Sequence, residues 1–348
     1  MMQPVANVPL EAIPVVECSH NFPLETLTGH DKRAHDLLDR ATKGMPAFAL
    51  RQLDRASKAW LEKWSNSHLE EIAEIARRLD RPGAYFFSVN YEWGCTCRVS
   101  PSPDHKSARL IRVLDWKTPG LGRNVLAARV AAKAGPYVTL TWPGYTGVLT
   151  AMAPGRFAGA LNQAPMRKAC GYFYFDWAVN RRRVWTMPHA TPAHLLRAVF
   201  DEAPTFEDAK RILKETPIST PGIFSLAGVK PNETVVIERT ETEARVYDGA
   251  QVAANHWQSH GWQGHERGAD SSGRACRMHR ITPEFDPSFK WLEPPILNAR
   301  TRIAMVADAA EGRLVAQGFE HMAPATRPLD LRLENRLMEQ DETLRTSP

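Results

Sequence analysis

The chain has 348 residues, 43% hydrophobic and 24% charged, with a formal net charge of +5. That balance fits a soluble globular protein of one large or two ordinary domains. The charge is small for the length and no nucleic-acid-binding module is visible, which argues against nucleic acid as a partner. The N-terminus, Met1 to Val16, has no basic stretch followed by an apolar run, and no apolar run reaches about 18 residues. A cytoplasmic address and no membrane span are the expectations.

Residues 1–30 are proline-rich and aperiodic and read as an extended arm. Asp31 to Leu79 reads as helical. Ser67-His68-Leu69-Glu70 matches a capping box, and Leu69, Ile72, Ile75, Ala76 and Leu79 recur behind it at helical spacing. Arg81-Pro82-Gly83 ends that helix. Ala84 to Asn90 reads as a buried strand or turn leading to Cys95. Strands follow at Ser107 to Trp116 and Pro136 to Trp142. Thr146 to Met152 and Arg156 to Leu161 read as a hairpin around Ala153-Pro154-Gly155.

Helices return at Thr191-Pro192, an N-cap threonine before an N1 proline, and at Thr205 to Glu215. Three strands come next: Gly222 to Gly228, Glu233 to Thr240 and Ala244 to Tyr247, with a turn at Asp248-Gly249. The last twenty or so residues are charged and read as mobile. Helices, strands, two helices and strands again predict a layered α+β protein with helices outside stacked sheets.

Five cysteines, Cys18, Cys95, Cys97, Cys170 and Cys276, are odd in number and scattered. They argue for free thiols in a reducing compartment rather than a disulfide framework. Cys95 stands out because it follows Gly94 at the start of a predicted strand. Cleavage between the two would place an α-amine beside a thiol. A thiol of pKa about 8.5 and an amine of about 7.7–8.0 let the amine take the thiol proton near neutral pH. Gly94 leaves its own carbonyl open to attack. Cys97 lies two residues on, hence on the same face of the strand.

Several segments in order resemble one family. They are Glu70-Glu71-Ile72-Ala73-Glu74-Ile75-Ala76, Asn90-Tyr91-Glu92, Cys95-Thr96, Gly144 to Gly155 ending in Leu161-Asn162, Ala254-Asn255-His256-Trp257, and Asp270-Ser271-Ser272-Gly273-Arg274. Together they are similar to the acid ceramidase and N-acylethanolamine-hydrolysing acid amidase family of N-terminal nucleophile (Ntn) hydrolases, over residues 67–280.

The resemblance implies a four-layer αββα sandwich with a helical N-terminal segment. It implies autocleavage before Cys95 into an α segment, residues 1–94, and a catalytic β segment, residues 95–348, forming an α/β heterodimer from one chain. The substrate would be a small-molecule or lipid N-acyl amide, hydrolysed at its linear carbon–nitrogen bond through an acyl-thioester, with no cofactor and no metal. Cys95 would be nucleophile and base. Asp115 would hold the amine and Arg112 would favour the thiolate, both in a segment that departs from the family pattern at Ile111 and Val113. The related run Gly122-Arg123-Asn124 lacks the aspartate.

Asn255 would donate to the oxyanion, and Arg274 would support the site electrostatically or bind substrate. Asn162 and Gln163 would complete the oxyanion or substrate contacts, with Gln163 where the family has a glutamate. Trp257 would line the substrate pocket in a long loop over 255–279. The alternative is a non-catalytic, uncleaved Ntn fold that binds ligand or holds metal, drawing on Cys95, Cys97, Cys276, His256, His260, His265 and His279.

Overall fold

The computed structural model describes residues 9–89 and 93–333. Its elements run β1 (Val15–Cys18), α1 (Phe22–Leu27), α2 (Asp31–Ala41), α3 (Ala47–Lys63), α4 (Leu69–Leu79), α5 (Ala84–Val89), β2 (Trp93–Pro101), β3 (Ala108–Trp116), β4 (Leu126–Val130), β5 (Tyr137–Thr141), β6 (Thr150–Ala153) and β7 (Phe157–Gln163). They continue α6 (Phe173–Val184), α7 (Pro192–Glu202), α8 (Phe206–Glu215), β8 (Gly222–Ala227), β9 (Thr234–Arg239), β10 (Ala244–Asp248), β11 (Gln251–Ala253), α9 (Ser271–His279), β12 (Thr301–Asp308), β13 (Arg313–Glu320), β14 (Ala323–Pro324) and β15 (Leu329–Arg332).

Two sheets form. One has the order β1-β4-β5-β6-β7-β8-β9-β10, and the other β11-β2-β3-β12-β13, with β14 and β15 both paired to β13. Strands β2 and β3 pack face to face on β7 and β8. Helices α7 and α8 cover the outer face of the first sheet, and α9 covers the second at β2 and β11. The result is an αββα sandwich, as the motif resemblance implied.

Side-chain alternation along β3 explains the layering. Leu110 and Leu114 enter the core between the sheets. Ile111 and Val113 enter a second core with Met278, Ile281, Phe289 and Ile296, on the side of α9 and the segment after it. Both faces of the second sheet are therefore buried.

The N-cap at Thr191 is as predicted, its hydroxyl accepting the His194 N–H, and the helix expected over Thr205 to Glu215 forms behind a Thr205 hydroxyl that accepts the Asp208 N–H. The β6–β7 hairpin also forms where expected. Several expectations need correcting. The described part of the proposed arm holds β1, which pairs in parallel with β4, and α1, whose Phe22 and Leu27 are fully buried. The N-terminal segment is therefore helical with one strand added at the edge of the first sheet. Ala84–Val89 is a helix, not a strand or turn, wedged against α3 and α4, with Ala84 in a cluster with Ile75 and Leu79 and Val89 in one with Trp60, Leu61 and Ile72.

Ser67 caps nothing, since α4 starts after His68 without a side-chain cap. The tract 255–279 is not all loop, for it ends in α9, capped by Asp270. Within the C-terminal stretch, β15 is paired to β13 and so is fixed in the sheet. Asn90-Tyr91-Glu92, the first eight residues and residues 334–348 lie outside the described residues.

The N-terminal helices are fastened to the body at a buried polar joint. Arg197 of α7 makes a fork to Glu71 of α4 at 2.7 and 2.9 Å and reaches the carbonyls of Thr146 and His20. The rings of His68 and His194 stack 4.3 Å apart, and His194 Nε2 meets the Thr146 hydroxyl at 2.9 Å. Burial pushes both imidazoles down, His68 to about 3, and Arg197 adds to the effect on each. Asp201 and Tyr137 complete the charged surroundings.

A histidine whose pKa is depressed by folding binds its proton more readily when unfolded. The stability it contributes is full above about pH 6.5 and is lost as pH falls toward the folded value. The expected result is a chain losing up to about 1.4 kcal/mol per pH unit for each of these histidines below pH 6.5. Urea melts at pH 7 and pH 5 check this. A His68→Gln variant that keeps the full wild-type pH slope would refute the assignment.

Candidate active site

Cys95 is the third residue of β2, fully buried, with its thiol on the inter-sheet face. Its Sγ lies 3.8 Å from the carbonyl of Leu161 on β7. Arg112 comes from the same face of β3, paired across from Cys97. Its guanidinium donates to Leu161 O at 2.9 Å, to Cys97 Sγ at 3.2 Å and to Asn162 Oδ1. Cys97 donates to Asn162 Oδ1 at 2.9 Å, and Asn162 Nδ2 donates to the carbonyls of Ala253 and Ala254. The two thiols share one face, as strand parity predicts.

The opposite face of the second sheet holds the backbone around the Gly94–Cys95 bond. Arg274 of α9 is fully buried and donates to Thr96 Oγ1 at 2.8 Å, to Asn255 Oδ1 at 2.9 Å and to the Cys95 carbonyl. Asn255 lies just beyond β11, where the ladder with β2 ends after Ala253 and Cys97 pair. Its Oδ1 accepts the Cys95 N–H at 2.7 Å, standing in for the missing ladder carbonyl, and its Nδ2 donates to Gln163 O at 2.7 Å. Gln163 in turn accepts the Trp93 N–H at 2.8 Å.

Asp115 is paired across from Gly94 and lies 3.7 Å from Arg274. Asn298 and Thr301 each donate to it at 2.9 Å. A Cβ on Gly94 would stand 3.3 Å from the Gly268 backbone and 3.4 Å from Asp115, so glycine lets these segments close on the bond.

Burial pushes the Cys95 thiol up to about 12, with Arg112 opposing it. It raises the Asp115 carboxyl as well, against the pull of Arg274.

Cys95, Arg112, Asp115, Asn162, Gln163, Asn255 and Arg274 therefore converge on one strand end. Trp257 does not join them directly; its ring packs edge-to-face on Trp262 with centroids 5.0 Å apart. The run Gly122-Arg123-Asn124 is elsewhere, with Asn124 bonded to Asp36. Cys276 is exposed, and His265 holds Asp176 at 2.9 Å. Among the described residues no group of three or more His, Cys, Asp or Glu is placed to hold a metal.

Sequence reasoning missed Asn298, Thr301 and Ser271, whose hydroxyl accepts the Asn255 N–H at 2.8 Å. Asn298 and Thr301 meet Asp115 across more than 180 positions, and nothing local marks them. The cap at Asp270, four residues before Arg274, was a legible signal for α9.

Two cavities border this strand end and a third adjoins one of them at Trp177 and Arg181. One of about 180 Å³ is lined by Gly94, Asp115, Gln163, Arg267 and Gly268. A second of about 90 Å³ touches Leu161, Asn162, Gln163 and Trp93. A third of about 350 Å³ is mainly apolar, with Leu37, Ile75, Phe87, Trp116, Trp142 and Trp177 among its walls.

An αββα sandwich with a buried cysteine near the start of an inner strand is the arrangement that the motif resemblance implied. In sequence, the chain is similar to the acid ceramidase of Homo sapiens, 29% identical over 104 residues, which are 30% of this chain and 25% of that protein. It is similar also to the N-acylethanolamine-hydrolyzing acid amidase of Caenorhabditis elegans, 26% identical over 168 residues, 47% of this chain and 44% of that one. The solved structure of a Caenorhabditis elegans ortholog of that amidase aligns with 21% identity and a TM-score of 0.48, over 61% of this chain and 92% of the other. The matched stretches span a quarter to under half of the curated relatives' length. No protein-family model matches the chain. These sequence matches bear out the resemblance to the acid ceramidase and acylethanolamine amidase group drawn from the motifs.

Proposed function

We propose that this protein is a cysteine-type amidohydrolase that cleaves the linear amide of an N-acylated small molecule or lipid and is activated by cutting its own chain at Gly94-Cys95. The observation that carries the reading is the division of β2 into two faces. The sulfur of Cys95 lies on one, with Arg112 and Leu161 O, and the Gly94–Cys95 backbone is held on the other by Arg274 and Asn255. The sequence likeness to amide-hydrolysing relatives supports it.

In the first stage the Cys95 sulfur attacks the Gly94 carbonyl. The peptide becomes a thioester as the Cys95 nitrogen leaves, and water then releases the Gly94 carboxylate and regenerates the thiol. The freed nitrogen stays on Asn255 Oδ1 with Asp115 nearby and serves as proton acceptor. In the second stage the thiolate attacks the substrate carbonyl. The amine departs with a proton from the α-amine, and water hydrolyses the acyl-thioester. Arg112 offsets negative charge at the sulfur. Neutral amide donors at the site, with Asn255 first among them, stabilise the oxyanion, each worth on the order of 3 kcal/mol. The apolar cavity of about 350 Å³ has the size and lining for an acyl chain. The five unpaired cysteines fit action in a reducing compartment such as the cytoplasm.

Denaturing electrophoresis of the purified protein is expected to give two fragments, residues 1–94 and 95–348, with Cys95 as the N-terminal residue of the larger. An intact chain that leaves N-acyl amides untouched would instead favour an inactive binding descendant of the fold.

A further inference from the structure

The cavity of about 90 Å³ beside the nucleophile differs in chemistry from its neighbours. Its walls carry Arg167, Arg181, Arg183 and Arg267, and among the described lining residues Glu241 is the one carboxylate. Arg167 and Arg183 both bond to that carboxylate, each at 2.9 Å. Glu241 is 4% exposed, whereas the two arginine side chains are 44% and 42% exposed. Two partly exposed cations in the cavity wall thus share one buried anion. Guanidinium forks match carboxylate and phosphate oxygens in geometry as well as charge.

The position of this pocket is as telling as its charge. It reaches Leu161 and Asn162, the residues that contact Cys95 Sγ and Arg112. It shares Trp177 and Arg181 with the apolar cavity. At about 90 Å³ it is much smaller than the apolar cavity of about 350 Å³, a size suited to a compact polar head group. Resting on the amidohydrolase reading above, we infer that the substrate is an N-acyl amine bearing an oxyanion on its amine portion, recognised by Arg167 and Arg183 in competition with Glu241. The anionic head group lies in the basic cavity, beside Leu161 and Asn162, and the acyl chain in the apolar cavity that adjoins it at Trp177 and Arg181.

The test is binding, which needs no turnover, on the full-length Cys95→Ala chain by calorimetry. Three probes share a lauroyl chain: N-lauroylglycine, N-lauroyl-phosphoethanolamine and neutral N-lauroylethanolamine. At least one anionic probe is expected to bind about tenfold or more tightly than the neutral one, the effect of one charge-assisted contact. The tighter of the two assigns the head group as carboxylate or phosphate. Glu241→Gln releases both arginines and is expected to tighten anionic binding severalfold while leaving the neutral probe unchanged. The Arg167→Gln, Arg183→Gln pair is expected to abolish the preference, and the Glu241→Gln arm decides the matter if that pair fails to fold. Equal affinity for charged and neutral probes, no binding of any probe at millimolar concentration, or an unaltered preference in Glu241→Gln overturns the inference. Anion-selective binding by a wild type that hydrolyses none of the probes would overturn the catalytic reading alone.

Discussion

Replacing Cys95 by alanine is expected to leave a single 348-residue chain that hydrolyses no acyl amide above background. Loss of a covalent nucleophile removes a pathway and not merely a contact, and falls on the order of 10⁴-fold or more are the precedent for such groups. The fold survives, because alanine keeps the backbone N–H that Asn255 accepts and the carbonyl that Arg274 holds. The cost of the missing sulfur is about 1–2 kcal/mol of core packing. Cys97→Ala is the matched control. It deletes a thiol from the same strand face, one that donates to Asn162 and does not adjoin the Gly94–Cys95 bond. Cleavage is expected to persist there. Intact-mass spectrometry and an acyl-amide assay read both variants, and fragments of unchanged size from Cys95→Ala would end the nucleophile assignment.

Arg274→Met is expected to cost about 3–5 kcal/mol and to stop cleavage, because it strips one partner from a fully buried charge network. Arg274 satisfies the Cys95 carbonyl, Thr96 Oγ1, Asn255 Oδ1 and the Ala269 and Arg267 carbonyls, and stands 3.7 Å from Asp115. Methionine fills the volume and supplies no donors, so the acceptors and the Asp115 carboxylate stay buried without it. Arg274→Lys keeps a charge but cannot reproduce the fork, and is expected to recover part of the stability and little of the cleavage. Urea midpoints measure the first effect and fragment yield the second. A methionine variant within about 1 kcal/mol of wild type would show that Arg274 does not hold this site together.

The sequence carried the local signals well. Thr191-Pro192 and Thr205 specify their helix starts because a hydroxyl one turn from a free N–H is a local interaction. The hairpin around Ala153-Pro154-Gly155 is equally local. Cys95, Arg112, Asp115, Asn255 and Arg274 were legible as types in an ordered set of motifs. Ala84–Val89 was misread, since a short apolar run does not itself say whether it packs as helix or strand.

What the sequence by itself determined was the layered α+β class, the capped helices and the unusual glycine–cysteine step. Only the tertiary structure decided which side of β2 each partner occupies. Strand parity fixes that Arg112 and Asp115, three apart, must point to opposite faces, but which face meets α9 depends on sheet packing. Likewise Asn298, Thr301 and Glu241 acquire their roles through contacts spanning tens to hundreds of residues. Such contacts follow from the burial of whole sheets, a free energy summed over many side chains that no short stretch of chain encodes.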